Sequence, residues 1–201
     1  MHPNPAFRAT PEDKNLRFAA ARGFGMLCIN GPAGPVAAHV PFVMAGARGV
    51  EVHLARSNAI ARADLPAPAL LAVQGPDAYV SPDWYGMPDQ VPTWNYVAVH
   101  LRGVLHPMEP EGLEPQVDAL SAEFEGRIAD KRPWTKHKMG DGVMERMMRG
   151  ILPFRLEVTE VQGTWKLNQN KTAEARAGVI AALEAQGGLA AEIAALMREV
   201  G

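Results

Sequence analysis

The chain has a single cysteine, no long apolar run and no export signal. Cys28 is alone among 201 residues, so no internal disulfide can form, and a reducing cytoplasm is the predicted location. No apolar stretch approaches the roughly 20 residues needed to cross a bilayer. Residues 1–14 lack the apolar core of an export signal. These absences argue against a disulfide-stabilised secreted protein and against a membrane protein.

A strong excess of positive or negative charge is also missing. Twenty lysines and arginines stand against 22 acidic residues, for a formal net charge of −2. Domains dedicated to nucleic acids usually carry a clustered basic excess. The basic residues here are scattered, apart from a short cluster that is predicted to be a solvated loop, at Lys131, Arg132, Lys136 and Lys138. DNA is therefore a partner that the charge does not support.

Signatures of the common enzyme classes are missing as well. There is no P-loop, no GxGxxG after a strand, no HExxH and no CxxC pair. The six histidines are dispersed and show no ligand spacing, so no metal site is predicted. Ser57 and Ser81 lie outside a GxSxG context, which gives no indication of a hydrolase nucleophile. Because none of these motifs is present, the catalytic residues are unknown from the sequence.

The first half of the sequence contains short strand-like segments separated by turn residues. Residues 24–29 and 36–43, joined through Asn30-Gly31-Pro32, predict a hairpin. Further strands are predicted at residues 50–55, 70–74, 78–81, 96–105 and 154–161, with Gly75-Pro76 breaking the middle pair. Short strands at this spacing favour a barrel over a doubly wound sheet.

Helical patterns fall in the second half. Apolar residues recur at helical spacing over 113–128, and a methionine-rich helix is predicted at 139–148. Two more helices are predicted at about 171–201, separated by Gly187-Gly188. No repeat or long linker interrupts the sequence. Residues 1–201 are therefore predicted to form a single, mainly β domain with peripheral helices and a helical C-terminus.

Three polar and aromatic segments carry groups that suit a ligand. In Val91-Pro92-Thr93-Trp94-Asn95-Tyr96 the aromatic rings offer stacking surface and the amide offers hydrogen bonds, although an aromatic corner closing a barrel explains them equally well. Arg56-Ser57-Asn58 could cradle a phosphate or form an ordinary turn. The third segment is Trp165-Lys166-Leu167-Asn168-Gln169-Asn170. Its polar side chains could donate hydrogen bonds to the edge of a ring, but Asn170 or Thr172 could equally serve as a helix cap.

Seven sequence blocks, in order along nearly the full chain, resemble the PaiB family of FMN-binding negative transcriptional regulators. The blocks are Met1/Pro5/Phe7, Gly23-Phe24-Gly25, His39-Val40-Pro41-Phe42, QGPDAYVS from Gln74 to Ser81, Trp84-Tyr85, VPTWNYVAVH from Val91 to His100, and WKLNQN from Trp165 to Asn170. The resemblance implies an FMN-binding split β-barrel related to pyridoxamine-phosphate oxidases and small flavin reductases. It also implies a homodimer that holds each FMN at the interface with residues of both chains.

The resemblance further implies a set of FMN contacts. Arg56, Ser57 and Asn58 would hold the phosphate, and the backbone near His39, Val40 and Pro41 would run beside the isoalloxazine ring. The remaining candidates for ring or ribityl contacts are Gln74, Trp94, Asn95, Lys166 and Gln169.

Two positions depart from the family pattern. Where the family commonly continues Asn-Pro-Gln-Trp, this chain has Asn58-Ala59-Ile60-Ala61, which removes an aromatic and a rigid turn. We therefore expect weaker flavin affinity or an altered pose. Asp77 stands where the family favours histidine, so an activity that needs that histidine would be lost.

The functions that follow belong to different classes. One is a flavin-dependent redox protein, with Lys166 stabilising negative charge on the flavin. The other is a transcriptional regulator, acting through a dimer surface or indirectly, with or without bound flavin. A haem-binding split barrel is a further alternative, for which His137 or His2 would have to be the iron ligand.

Overall fold

The computed structural model describes residues 1–200 and contains one seven-stranded sheet with five α-helices. The strands are β1 (Phe24–Gly31), β2 (Gly34–Pro41), β3 (Val43–Ala45), β4 (Gly49–Ala55), β5 (Ala67–Val80), β6 (Thr93–Pro107) and β7 (Ile151–Lys166). Their order in the sheet is β2-β1-β5-β6-β7-β4-β3. The helices are α1 (Glu12–Arg22), α2 (Leu113–Glu125), α3 (Val143–Met148), α4 (Ala173–Gln186) and α5 (Gly188–Glu199). The mainly β prediction is confirmed.

The β1–β2 hairpin forms where the sequence predicted it. In β1, Leu27 and Ile29 are buried whereas Phe24 and Met26 are exposed, as expected of alternating side chains. Antiparallel pairing sets Ile29 opposite Val36. One face of the hairpin therefore belongs to the core, and the other presents apolar groups to solvent.

Two features differ from the sequence predictions. Gly75-Pro76 does not separate two strands but lies inside β5, where both residues are buried. A proline is tolerated in a strand at a position whose N–H the ladder does not need. In addition, α1 was not predicted, because its sequence EDKNLRFAAAR is largely polar and carries a weak apolar stripe.

Contacts within the chain group it into two compact units that interleave in sequence. The first unit comprises Met1–Arg17, Gln74–Val99 and the chain from Gln162 onward, and the second comprises Phe18–Val73 and His100–Val161. Strands β5, β6 and β7 contribute residues to both units. The prediction of a single domain over residues 1–201 stays a prediction.

In the second unit, α2 is fastened to the sheet by one buried amide. Gln116 is 2% exposed, and its Nε2 donates to the carbonyls of Val52 on β4, at 3.1 Å, and of Phe154 on β7, at 3.3 Å. These bonds pair the amide NH₂, and an unpaired buried polar group costs about 1–3 kcal/mol; the Oε1 of the same amide has no partner among residues 1–200. Leu113 is buried beside it on the same helix. The helix is thereby held at a defined position over two strands.

In the first unit, the N-terminal segment is fastened through Trp165 at the end of β7. The indole Nε1 donates to Asn15 Oδ1 at 2.8 Å, and Lys14 lies 4.8 Å from the ring centroid. Thr172 caps α4 by accepting from the N–H of Ala175, as one of the two capping alternatives predicted. None of the helices within residues 1–200 is long and apolar enough to cross a membrane.

Candidate functional site

The candidate phosphate loop begins where β4 ends. The pairing of β4 with β7 brings Arg56 next to the α3–β7 turn, so its N–H donates to the Gly150 carbonyl at 3.0 Å. Its Nε donates to the Arg149 carbonyl at 2.7 Å. The side chains of Arg56 and Ser57 are exposed. The loop therefore has a fixed backbone and presents a guanidinium and a hydroxyl to solvent.

The altered segment after Asn58 still forms a tight turn. Asn58 Oδ1 accepts from the N–H of Ile60 at 2.9 Å, and Ile60–Arg62 is a 3₁₀-helix. Ile60 is fully buried and anchors the loop in the core. The rigid turn that the family's proline would supply is therefore replaced by an asparagine turn and an aliphatic anchor. Because Asn58 uses its side-chain oxygen in this way, only its amide NH₂ remains for a ligand.

Arg62 belongs to the same loop and was missed by the sequence reasoning. Its Nε donates to the Arg56 carbonyl at 3.2 Å, and its side chain is exposed. The Arg62 guanidinium is thus placed at the backbone of Arg56, six residues earlier in the chain. The only signal in the sequence was a second arginine close behind the first, which is common in exposed loops.

The predicted ring-facing segment lies on β2, in the same unit. Val40 is 2% exposed and points into the core, whereas His39 is exposed and stacks with Phe24 at a centroid distance of 6.3 Å. Strand β2 contacts both β4 and the 3₁₀-helix Ile60–Arg62. The structure therefore brings the segment from His39 to Pro41 and the phosphate loop into one neighbourhood of the second unit.

The first unit contains a separate group of candidates around Trp94. Trp94 is 53% exposed and meets Tyr79 edge to face, with ring centroids 6.1 Å apart. Lys166 Nζ donates to Thr93 Oγ1 and, at 2.8 Å, to the Trp94 carbonyl. Burial lowers the pKa of the Lys166 ammonium below its ordinary value of 10.5. An aromatic surface and a partly desolvated cation thus lie side by side.

The other candidates of this unit are placed differently. Gln74 is exposed and donates through Nε2 to Asp77 Oδ2 at 2.9 Å. Asn95 is fully buried and contacts Met197 Sδ through Nδ2, while its Oδ1 has no partner within residues 1–200. Gln169 accepts from the N–H of Leu167 and donates to the carbonyl of Trp165, so it holds the local turn. As FMN contacts, all three remain predictions.

The donor set of the loop from Arg56 to Arg62 fits the phosphate of FMN. A phosphate monoester is best held by guanidiniums, which donate two parallel hydrogen bonds, and by hydroxyl or amide groups. The loop supplies two exposed guanidiniums and the Ser57 hydroxyl. No acidic side chain forms an ion pair with either arginine among residues 1–200. The aromatic pair around Trp94 independently suits a flat conjugated ring.

The two histidines considered as haem-iron ligands lie in different parts of the chain. His2 Nδ1 accepts from the N–H of Asn4, and its ring packs edge to face on Phe7. Burial lowers the pKa of His2 below 6.5. His137 lies in a short 3₁₀-helix, Lys136–Lys138. Across residues 1–200 no cluster of three or more histidine, cysteine or acidic side chains has the geometry of a metal site.

Sequence comparison relates most of the chain to one family. Residues 1–160 match the family model described as "Putative FMN-binding domain". The "Protease synthase and sporulation protein PAI 2" of Bacillus subtilis is 28% identical over 169 residues, covering 82% of this chain and 80% of that protein. An uncharacterized protein of Aspergillus fumigatus is 30% identical over 143 residues, covering 62% of this chain and 55% of that protein.

Solved structures with a similar fold come from proteins of low sequence identity. A FAD and haem binding protein of Mycobacterium smegmatis superposes with a TM-score of 0.60 at 18% identity, covering 90% of this chain and 80% of its own. A flavocytochrome of Azotobacter vinelandii also superposes with a TM-score of 0.60. It is 12% identical, and the match covers 82% of this chain and 72% of that chain. At these identities the likeness concerns the fold alone, and it confirms the predicted split β-barrel.

Proposed function

The chain belongs to the FMN-binding family whose model it matches over residues 1–160, and from this premise we propose that it is a flavin-dependent redox protein that works as a homodimer. Family membership confirms FMN as the predicted cofactor. When bound, FMN supplies the transfer of a hydride or of electrons, and the protein supplies binding, orientation and electrostatics. The phosphate is assigned to the loop from Arg56 to Arg62.

The observation that carries the redox role is the position of Lys166. Its ammonium is held by the Thr93 hydroxyl and the Trp94 carbonyl, next to an exposed aromatic surface. A cation with a fixed position in a partly desolvated setting stabilises negative charge on a neighbouring ring more strongly than a mobile surface lysine does.

The first test is the spectrum and the mass of the purified protein after incubation with FMN. We expect flavin absorbance to elute with the protein, flavin fluorescence to be quenched, and the mass to be twice the 21.7 kDa of one chain. Protein that elutes colourless, with the fluorescence of the added FMN unchanged, would refute flavin-dependent function.

Replacing Lys166 by methionine should lower the reduction potential of the bound flavin. The substitution removes a positive charge that favours the more negative state, and a loss of 1.4 kcal/mol corresponds to about 30 mV for a two-electron couple. Potentials are measured by spectroelectrochemistry. The charge-matched control is Lys138→Met, since Lys138 is exposed and donates only to a backbone carbonyl, that of Pro133. Equal potentials for Lys166→Met and the wild type would contradict the assigned role.

The homodimer is proposed to form through the outer face of the β1–β2 hairpin. Phe24 is 53% and Met26 37% exposed, and Met26 lies between His39 on β2 and Ala72 on β5. Cys28 continues the row on the same strand, and burial raises the pKa of its thiol. Contiguous apolar surface of this kind is typical of an interaction site. The family resemblance implies that a second copy of the chain covers this face.

Replacing Phe24 by glutamate should convert the dimer to a monomer. The new carboxylate would be desolvated at the interface without a partner, a penalty that dimer association does not recover. Sedimentation velocity measures the outcome. Val91→Glu is the matched control, because Val91 is also exposed but lies outside this face. A Phe24→Glu protein that remains dimeric would place the interface elsewhere.

Transcriptional regulation is the second candidate function. The observation in its favour is the similarity to the Bacillus subtilis protein, which is named for protease synthesis and sporulation. A gel shift on the protein's own promoter region at several salt concentrations distinguishes sequence-specific binding from charge-driven binding.

The cytoplasm remains the proposed location, because the lone cysteine forms no internal disulfide.

A further inference from the structure

Helix α2 has the sheet on one side and residues 131–138 on another. Gln116 faces the sheet, to which its amide donates two hydrogen bonds. Asp118, Ser121 and Ala122 lie together on a different side of the helix, because residues three or four apart share a face. Residues 131–138, which include the predicted solvated loop, fold back over this side and form ion pairs with the helix. We call them the covering loop.

Polar contacts fasten the covering loop to α2 at two places. At one of them, Glu125 accepts from the main-chain N–H of Trp134 at 2.7 Å and pairs with Lys131. At the other, the Lys136 ammonium donates to the Asp118 carboxylate at 2.7 Å. These contacts fix the position of the loop, but no apolar side chain fills the space between them.

The space under the covering loop is a cleft of about 410 Å³, which we call the α2 cleft. Binding sites for small molecules usually measure about 300–1,000 Å³. Two other spaces in the second unit are less suitable. One of about 350 Å³ includes Cys28, on the face already proposed for the dimer, and one of about 210 Å³ is below the usual size of a ligand site.

The walls of the α2 cleft suit a flat molecule that carries a hydroxyl group. Pro133 and Trp134 on the loop, together with Ala122 on the helix, provide apolar surface, and the half-buried indole offers a face for stacking. The side-chain hydroxyls of Ser121 and Thr135 also line the cleft and have no hydrogen-bond partner among residues 1–200. A hydroxyl both donates and accepts, so either one can pair with a hydroxyl of a ligand.

The charges at the α2 cleft are already paired within the chain. The Lys136 ammonium is shared by Asp118 and Glu114, and these hydrogen bonds raise its pKa, so it stays charged and engaged. No positive charge of this group is left for an anion, and the charge of Asp118 is offset for a cation. Moving an ion from water against mainly apolar walls is costly without a partner of opposite charge. The cleft therefore favours an uncharged ligand.

We propose that the α2 cleft binds a small uncharged aromatic alcohol, with the ring against Trp134 and the hydroxyl at Ser121 or Thr135. The site goes beyond the proposed function, because none of its lining residues is a candidate FMN contact. The polar contacts of the loop hold the walls in place before a ligand arrives. Binding therefore costs little conformational entropy of the protein.

The test titrates 2-naphthol into the FMN-loaded protein by calorimetry. We expect it to bind about tenfold more tightly than 2-naphthoate or 2-naphthylmethylammonium, which present the same rings with a charge. Trp134→Ala should weaken binding about tenfold, since it removes the stacking face but keeps the main-chain N–H that holds the loop. Ser121→Ala should weaken it about 2- to 10-fold, as for one neutral hydrogen bond.

Ala122→Leu should block the α2 cleft and abolish 2-naphthol binding. Ala119→Leu is the matched control, because Ala119 is exposed on the same helix but does not line the cleft. Melting temperatures verify that all variants are folded. Binding that survives both Ala122→Leu and Trp134→Ala would place the ligand elsewhere and overturn the inference.

Other results would also overturn the proposed site. They are the absence of 2-naphthol binding to the wild type, tighter binding of either charged analogue, and competition between 2-naphthol and FMN, which would place the ligand in the flavin site. A change of the dimer mass in Ala122→Leu alone would assign the cleft to contacts between two chains. If the protein binds no flavin, the proposed function fails, and the same titrations without FMN still decide the α2 cleft.

Discussion

Replacing Arg56 by glutamine is expected to weaken FMN binding about 10- to 100-fold, because a hydrogen bond to a charged group is worth about 1.5–3 kcal/mol and each 1.4 kcal/mol is a factor of ten. Glutamine keeps a hydrogen-bond donor on a shorter side chain but loses the charge and the second parallel bond. Arg62 remains in the loop, so binding is weakened and not abolished. Fluorescence quenching of FMN measures the change directly.

Riboflavin is the matched ligand control for Arg56, since it carries the same ring and ribityl chain without the phosphate. The wild type should prefer FMN to riboflavin, and Arg56→Gln should remove most of that preference. The variant also loses the hydrogen bond from Nε to the Arg149 carbonyl, so its melting temperature must be compared with that of the wild type. Equal losses for both ligands would show that the loop had rearranged and that Arg56 does not read the phosphate.

The sheet was largely predictable because its strands alternate. In β7, Phe154, Leu156 and Val158 are buried whereas Glu157 and Thr159 are exposed, as the period of two predicts. What failed was the interpretation of isolated signals. Gly75-Pro76 looked like a turn, but at this place the backbone continues as a strand with both residues buried. Local turn propensity was overridden by tertiary packing.

The C-terminal helices were also found, whereas α1 was not. The predicted pair on either side of Gly187-Gly188 corresponds to α4 and α5, because glycine ends a helix readily and the flanking apolar positions recur at helical spacing. In α1, the buried side chains include Asn15 and Ala19. A helix whose buried face includes small and polar residues has only a weak apolar stripe, which the sequence pattern does not reveal.

The candidate site was predictable only where its residues are adjacent in sequence. Arg56, Ser57 and Asn58 form one tripeptide, and the loop they predict exists. Arg149 reaches the same place through the pairing of β4 with β7, from 93 residues away. Pairing over such a distance leaves no local signature, so the contact of Arg56 with the Arg149 carbonyl emerges only from the fold.

Replacing Gly103 by alanine should destabilise the protein by about 3 kcal/mol or more, at the upper end of what overpacking usually costs. A β-carbon at this position of β6 would lie 1.8 Å from the carbonyl oxygen of Glu157 and 3.0 Å from the Cα of Val158. Both atoms belong to the backbone of β7, which cannot retreat as a flexible side chain would. The two strands must therefore separate locally, which breaks ladder hydrogen bonds in the second unit.

Thermal and chemical unfolding measure this cost, and for a chain of this size about 3 kcal/mol lowers the melting temperature by about 6–12 °C. Gly140→Ala is the matched control, because its added carbon would be 3.8 Å from Val143 Cγ2, an ordinary contact. Since Gly140 lies at an exposed position, its replacement should change the stability by no more than about 0.5 kcal/mol. Similar melting temperatures for the two variants would mean that β6 and β7 are not as close at Gly103 as the structure has them. A large loss for Gly103→Ala alone would establish this glycine as the point of closest approach on which the pairing of β6 with β7 depends.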